Sequence, residues 1–169
     1  GKLVEKYAQK YKNVHLYTET SKDGIGAAYL KGFKYAKDKL KADYVFEFDS
    51  DLQHPPETIP VMLQKMEEGY DHVIGSRKIE GGSNPKGWGF KRVFFSEVGG
   101  FVARFIMFFP FQNFFKVTDP TTGLKVTRVK GFIDQMDLDD FSHLLSKSFG
   151  YKLQLLFETL KMKAKFCEI

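Results

Sequence analysis

Short apolar runs alternate along this chain with longer stretches in which apolar residues recur every three or four positions. That alternation predicts strands and helices in turn. Leu3, Val4, Tyr7, Ala8 and Tyr11 fall at helical spacing, and Asn13 supplies a stop. Val14, His15, Leu16 and Tyr17 read as a short strand. The segment from Ser21 to Gly26 reads as a turn that opens a helix over 27–40, with Ala28, Leu30, Phe33 and Ala36 on its buried side. Tyr44-Val45-Phe46-Glu47-Phe48 predicts a strand, because it is short and rich in aromatic and β-branched residues. A helix over 56–68 follows, with Pro56 in its first turn, where a missing N–H costs nothing. A strand over 72–75 comes next. Strands that alternate with helices imply an α/β fold with a parallel sheet.

The pattern changes after Arg77. Residues 79–89 are Gly-rich and contain Asn84-Pro85. A helix of aromatic character is predicted over 90–109, broken by Pro110, with Phe111 to Phe115 continuing the aromatic content. Asp119-Pro120-Thr121-Thr122-Gly123 is a turn ahead of a strand over 124–127. Helical segments are predicted over 129–136, 142–146 and 151–161, and a last strand over 165–169.

The most informative chemistry sits where the strand over 44–48 ends. Asp49, Asp51 and Gln53 place two carboxylates and an amide oxygen at alternate positions, and Pro55 and Pro56 prevent the strand from continuing. Ligands in open α/β sheets bind beyond the carboxyl ends of strands. Hard oxygen donors in that place suit Mg²⁺ or Mn²⁺ that also bridges a substrate's phosphates. An aspartate after a strand also serves simply to turn the chain or cap a helix. Phosphatases with a nucleophilic aspartate carry Asp-x-Asp after a strand too, but place Thr where this chain has Gln53.

Composition narrows the classes. With 169 residues, 43% hydrophobic and 28% charged, the chain has enough material for one folded domain. A net charge of +5 suits a phosphate ligand or an anionic membrane surface. Arg and aromatic residues do not interleave in a nucleic-acid motif, so no nucleic-acid partner is expected. The single cysteine, Cys167, excludes an internal disulfide framework. No window reaches the roughly 18 apolar residues of a membrane-spanning helix, and no signal peptide is visible.

Other candidates carry two readings each. Gly24 and Gly26 allow either an anion to approach a helix N-terminus or an ordinary tight turn. Arg77, at the end of the strand over 72–75, falls on the same rim as the acidic cluster, where its guanidinium can grip a phosphate with two bonds or remain a surface charge. Arg92 and Ser96 share a helical face. Half of the chain's 18 phenylalanines fall between Phe94 and Phe115. That stretch suits a membrane interface beside Arg92, Arg104 and Lys116, a buried core helix, or an oligomer contact. His54 is either a helper of the acidic cluster or a turn residue. His15, His72 and His143 have no visible partners in the sequence.

Taken together, these segments resemble the family-2 glycosyltransferases of the polyprenyl-phosphate type, which include the dolichol-phosphate mannosyltransferases. The resemblance is carried by Gly24-Ile25-Gly26-Ala27-Ala28-Tyr29 with Gly32, by Asp49 through Pro56, by Gly75-Ser76-Arg77, by Gly81-Gly82, by Trp88 with Arg92 and Ser96, and by Asp119 through Leu124. It implies a GT-A-like three-layer α/β fold with a mostly parallel sheet, a nucleotide-sugar donor and a polyprenyl-phosphate (dolichyl or undecaprenyl) acceptor. It also implies that Asp49, Asp51 and Gln53 hold the metal, that Gly24, Gly26, Asp49 and Asp51 face the donor, and that Arg77, Arg92 and Ser96 hold the acceptor phosphate. Asp51, Arg77 and Arg92 are then the catalytic candidates. The Phe-rich helix would face the bilayer, which places the protein at the cytoplasmic face of a membrane.

Three departures stand out. Ser50 replaces the usual Ala. Lys125 replaces an Arg that the family often has, which removes a two-bonded contact there. The family's two opening strands, which carry much of its base and ribose recognition, have no counterpart, and the last strand is cut short. The expectation is therefore a partial catalytic domain over 1–169, truncated at both ends. It would transfer a hexose such as mannose or glucose with inversion. The alternatives are a metal-dependent phosphatase using Asp49 as nucleophile, and a non-catalytic lipid-phosphate or membrane-binding module.

Overall fold

A computed structural model describes residues 2–18, 23–51, 53–84, 87–110, 113–140, 148 and 150–169. The predicted helix over 142–146 and residues Ser21, Lys22, Leu52, Pro85, Phe111 and His143 lie outside the described residues.

Helix α1 (Lys2–Lys10) is followed by α2 (Ile25–Asp38), strand β1 (Tyr44–Glu47), α3 (Thr58–Glu67), β2 (His72–Ile74), α4 (Phe90–Phe108), α5 (Asn113–Lys116), β3 (Lys125–Arg128), α6 (Gly150–Lys161) and β4 (Phe166–Glu168). The four strands form one sheet in the order β1-β3-β2-β4. β3 runs antiparallel to both neighbours, whereas β2 and β4 pair in parallel. Three of the four strands thus share a direction, and β3 is inserted against them. This puts the start of β3 beside the ends of two others: Lys125 is opposite both Glu47 and Ile74.

Helices cover both faces of the sheet, so the fold has three layers. Side chains alternate across a strand. On one face Val45 packs with Leu30 and Phe33 of α2, Leu155 of α6 and Ile133. On the other, Phe46, Val73 and Val126 pack with Met62 and Met66 of α3, which fall one helical turn apart. A third cluster joins Ile74 to Phe108 at the end of α4 and to Leu156 and Leu160 of α6.

Three expectations change. Val14 to Tyr17 pairs with no described strand, and Leu16 and Tyr17 are exposed. A lone extended segment has no ladder to satisfy its backbone, so apolar alternation alone does not make it a strand. The helix expected over 129–136 is a turn followed by a 3₁₀ segment, Ile133–Gln135. The helix over 56–68 begins later, at Thr58, because Pro55 and Pro56 form the turn before it.

Candidate functional site

The end of β1 carries the acidic residues into the open rim of the sheet. Asp49 is held on both oxygens. Oδ1 accepts from the Tyr29 hydroxyl at 2.9 Å, and Oδ2 accepts from Lys152 Nζ at 2.7 Å. Burial would raise the Asp49 carboxyl, but these two donors outweigh it and hold the group below the usual carboxylate range. His54 Nε2 stands 3.8 Å from the same Oδ2, and burial keeps its imidazole below the ordinary value despite Asp49 and Asp51.

Asp51 and Gln53 differ from Asp49 in both exposure and commitment. Both are exposed, and among the described residues Asp51 accepts from the Gln53 backbone N–H at 3.1 Å. Asp49, by contrast, is half-buried and bonded by protein donors on both oxygens. Among the described residues no group of three His, Cys, Asp or Glu side chains is placed to hold a cation alone. A hard cation would therefore need oxygens from Asp51 and Gln53 completed by water or by a ligand's phosphate, a donor set such ions accept.

Gly123 fixes the floor of this cluster. A Cβ there would lie 2.6 Å from Lys152 Nζ and 2.9 Å from His54 Nε2, and would collide with Asp49 Oδ2. Three side-chain ends converge on its Cα, so any larger residue here must displace them. The start of α2 borders the same place: Ile25 and Tyr29 line a hollow of about 450 Å³ with Asp49, Ser50 and Asp51. Gly24 caps this helix with φ of 99°, a conformation that side chains disfavour, and Gly26 is buried in its first turn.

Behind the rim lies a group of buried charges. Glu47 and Lys125 are cross-strand partners, and both are sealed from solvent. Burial raises the Glu47 carboxyl and lowers the Lys125 ammonium. Lys125 donates to the Thr122 carbonyl at 2.9 Å, so it braces the turn before β3.

Arg77 follows β2 and is tied to that same turn. Its Nε and Nη2 donate to the two oxygens of Asp119 at 2.6 and 2.7 Å, and Nη2 also reaches Thr121 Oγ1 at 3.0 Å. Asp119 is buried. Burial would raise its carboxyl, but the Arg77 bonds prevail and lower it. The two-bonded grip expected of Arg77 on a phosphate is thus taken by Asp119, and Nη1 is what remains to offer. Gln53, His54 and Arg77 border one cleft of about 410 Å³ together with Ser76 and Asn84. Asp49 and Asp51 do not line this cleft; they border the separate hollow with Ile25 and Tyr29, so Gln53 and His54 are what the acidic segment contributes beside Arg77.

Arg92 and Ser96, on the first turns of α4, do not line that cleft. Arg92 is linked to Arg77 through Trp88: its guanidinium lies 4.1 Å from the indole centre and that of Arg77 lies 5.4 Å from it. Lys78 pairs with Glu97 and draws α4 to the same loop. Arg104 donates to the Val117 carbonyl at 3.1 Å and lies against Phe101 and Phe114.

Sequence reasoning missed Lys152 and the pairing of Asp119 with Arg77. A signal for Lys152 existed. It falls at i−4 and i−7 from Leu156 and Thr159, on the buried stripe of α6, where a lysine needs a partner. Asp119 gave no such signal, because an aspartate at the start of a Pro-containing turn is ordinary.

A three-layer α/β unit with an acidic rim at the end of one strand and an antiparallel strand inserted beside it is a GT-A-like arrangement. The chain belongs to glycosyl transferase family 2, whose model matches residues 1–134. It is 28% identical over 169 residues to an undecaprenyl-phosphate mannosyltransferase of Micrococcus luteus, covering all of this chain and 64% of the relative. It is 30% identical over 149 residues to a polyprenol monophosphomannose synthase of Mycolicibacterium smegmatis, covering 87% of this chain and 51% of the relative. A dolichol-phosphate mannosyltransferase of Pyrococcus furiosus is 30% identical over 136 residues, covering 80% of this chain and 36% of that protein. The chain therefore spans between about a third and two thirds of the length of these relatives.

Proposed function

We propose that this chain is the catalytic part of an enzyme that moves a hexose, mannose in the first instance, from a nucleoside-diphosphate sugar to a polyprenyl phosphate with inversion. The observation that carries the reading is the cleft bordered by Gln53, His54 and Arg77, with Asp49 and Asp51 lining a second hollow at the same strand end. One side suits a diphosphate and the other a second phosphate. The names of the three relatives supply the acceptor class.

The acceptor's phosphate oxygen bonds to the anomeric carbon while the bond from that carbon to the diphosphate breaks, and the electron pair leaves with the nucleoside diphosphate. The nucleophile is already an anion, so no strong base is required. This agrees with a rim whose His54 is made a weaker base by burial. Asp51 and Gln53 would hold Mg²⁺ or Mn²⁺, with Asp49 behind them. Such a cation supplies charge neutralisation at the leaving diphosphate. Arg92 and the free edge of Arg77 bring the anionic acceptor against the repulsion of the donor, which is positioning and electrostatics. Gly24 and Gly26 belong to the donor side through the α2 turn that borders Asp49 and Asp51.

The surface of α4 suits a bilayer. Phe95, Val98, Val102 and Ile106 form an exposed stripe at three- and four-residue spacing, and Phe90 is 84% exposed. Among the described residues no helix is long and apolar enough to cross a membrane, so the contact would be interfacial. We assign this helix to the membrane surface beside the acceptor site, at the cytoplasmic face.

The phosphatase reading is weaker on this geometry. A carboxylate paired with Lys152 and bonded by Tyr29 is a poor nucleophile. The test is direct assay of the full-length protein with a panel of nucleoside-diphosphate hexoses and a polyprenyl phosphate. A polyprenyl-phosphate hexose is expected, and none from the free polyprenol. Vesicle binding without nucleotide affinity or transfer would favour the non-catalytic module instead.

A further inference from the structure

We propose that Trp88 is a positioning residue for the acceptor's phosphate, because its indole carries the guanidinium of Arg92 and sets it against that of Arg77. This rests on the assignment of those two arginines to the acceptor side. The two cations contact one ring, at 4.1 and 5.4 Å from its centre, and come from different elements: Arg77 follows β2 and Arg92 lies on α4. Like charges do not gather without a reason. The negative face of an indole attracts each of them and offsets part of their repulsion.

Their other commitments differ. Arg77 is fixed by Asp119 and Thr121. Arg92 is exposed and, among the described residues, no carboxylate pairs with it. Since Asp119 cancels one charge, the stack retains one surplus positive charge, and that charge is on the arginine held by the ring. The indole N–H is sealed from solvent and finds no acceptor among the described residues, so ring contacts rather than a hydrogen bond hold Trp88 there. The surplus cation at the base of an apolar helix is thus aimed by an aromatic face, a device suited to an anion on a lipid tail. Arg92 alone, on a flexible stem, would lose rotamer freedom on meeting each acceptor, and stacking removes much of that cost beforehand.

Trp88 is the chain's single tryptophan and therefore reports on itself. The test uses the full-length protein with any other tryptophan replaced by Phe, titrated with farnesyl phosphate, farnesol and inorganic phosphate while emission is followed. A saturable change with farnesyl phosphate or with inorganic phosphate is expected. A response to farnesol alone, or farnesyl phosphate binding without any emission change, would overturn the proposal. In steady-state assays Trp88→Leu should raise KM for the polyprenyl phosphate by about tenfold and leave KM for the sugar nucleotide unchanged. Trp88→Phe, which keeps a ring face, should recover most of the loss. Equal effects on both KM values, or Phe no better than Leu, would mark Trp88 as structural only. Should Trp88→Leu fail to fold, Arg92→Gln in the Trp88 protein must abolish the emission response, and a retained response refutes the idea. Wild-type protein that transfers nothing to farnesyl phosphate would strike the acceptor assignment itself. Wild-type turnover with an unmoved Trp88→Leu would strike only the role given to Trp88.

Discussion

Lys152 of the last helix ends 2.7 Å from Asp49 Oδ2, across 103 residues of chain, and makes the acidic rim part of the core. Replacing it by Met leaves a partly buried carboxylate without its ion partner. The loss should be about 2 kcal/mol, below that of a fully buried pair because Asp49 keeps some solvent. Adding Asp49→Asn should restore part of that loss. Denaturant midpoints of the single and double variants measure both, and an unchanged midpoint in Lys152→Met would show that the pair is idle.

Gly123→Ala tests the convergence of Asp49, Lys152 and His54 on one Cα. The added methyl meets three side chains at once, so either the turn or the cluster must move. A loss of about 2 kcal/mol or more is expected from overpacking, with transfer reduced about 100-fold by displacement of the rim. Wild-type stability together with wild-type turnover would contradict the cradle.

Asp51→Ala separates chemistry from stability. Asp51 is exposed and, among the described residues, bonds to the backbone of Gln53, so the folding free energy should move by less than about 0.5 kcal/mol. Transfer should fall by about 100-fold if this carboxylate holds the cation. Full turnover at saturating Mg²⁺ or Mn²⁺ would remove Asp51 from the site.

His72 gives an acid-side slope. It is sealed beneath the sheet, with Nδ1 2.9 Å from Thr127 Oγ1, and burial pushes its imidazole from 6.5 down to about 3. The unfolded chain takes up a proton below pH 6.5 while the fold does not. The stability gained from a neutral His72 is complete above pH 6.5. It erodes as pH falls towards 3, by up to about 1.4 kcal/mol per pH unit. In His72→Gln that part of the slope should vanish. Parallel stability curves for the two proteins between pH 7 and 4 would exclude it.

Phe95→Ser with Ile106→Ser interrupts the apolar stripe of α4. Both side chains are more than two-thirds exposed, so melting temperature should hold. Sedimentation with anionic vesicles should weaken by about tenfold or more, since two buried apolar side chains are lost from the lipid contact. Unaltered vesicle binding would move the membrane contact elsewhere.

The order of elements was readable because periodicity reports which face is buried, and α2, α3, α4 and α6 each fall within two residues or so of the predicted spans. The carboxylates after β1 and the arginine after β2 were readable because strand ends point to one rim. What escaped was pairing across long separations. Asp119 and Lys152 find their partners 42 and 103 residues away, and no local pattern encodes such a meeting. Lys125 was expected to offer a weaker ligand contact than an arginine. It is fully buried and serves the turn before β3 instead. The direction of β3 was equally hidden, since alternation along a strand does not say which way its neighbours run.

The inserted strand has a geometric result. Because β3 enters against its neighbours, the five residues from Asp119 to Gly123 touch Arg77 at one end and Asp49 at the other. One short loop therefore acts as the gauge that sets the gap between Arg77 and Asp49. Adding or deleting a single residue there would change the span between Arg77 and Asp49 while leaving both side chains intact.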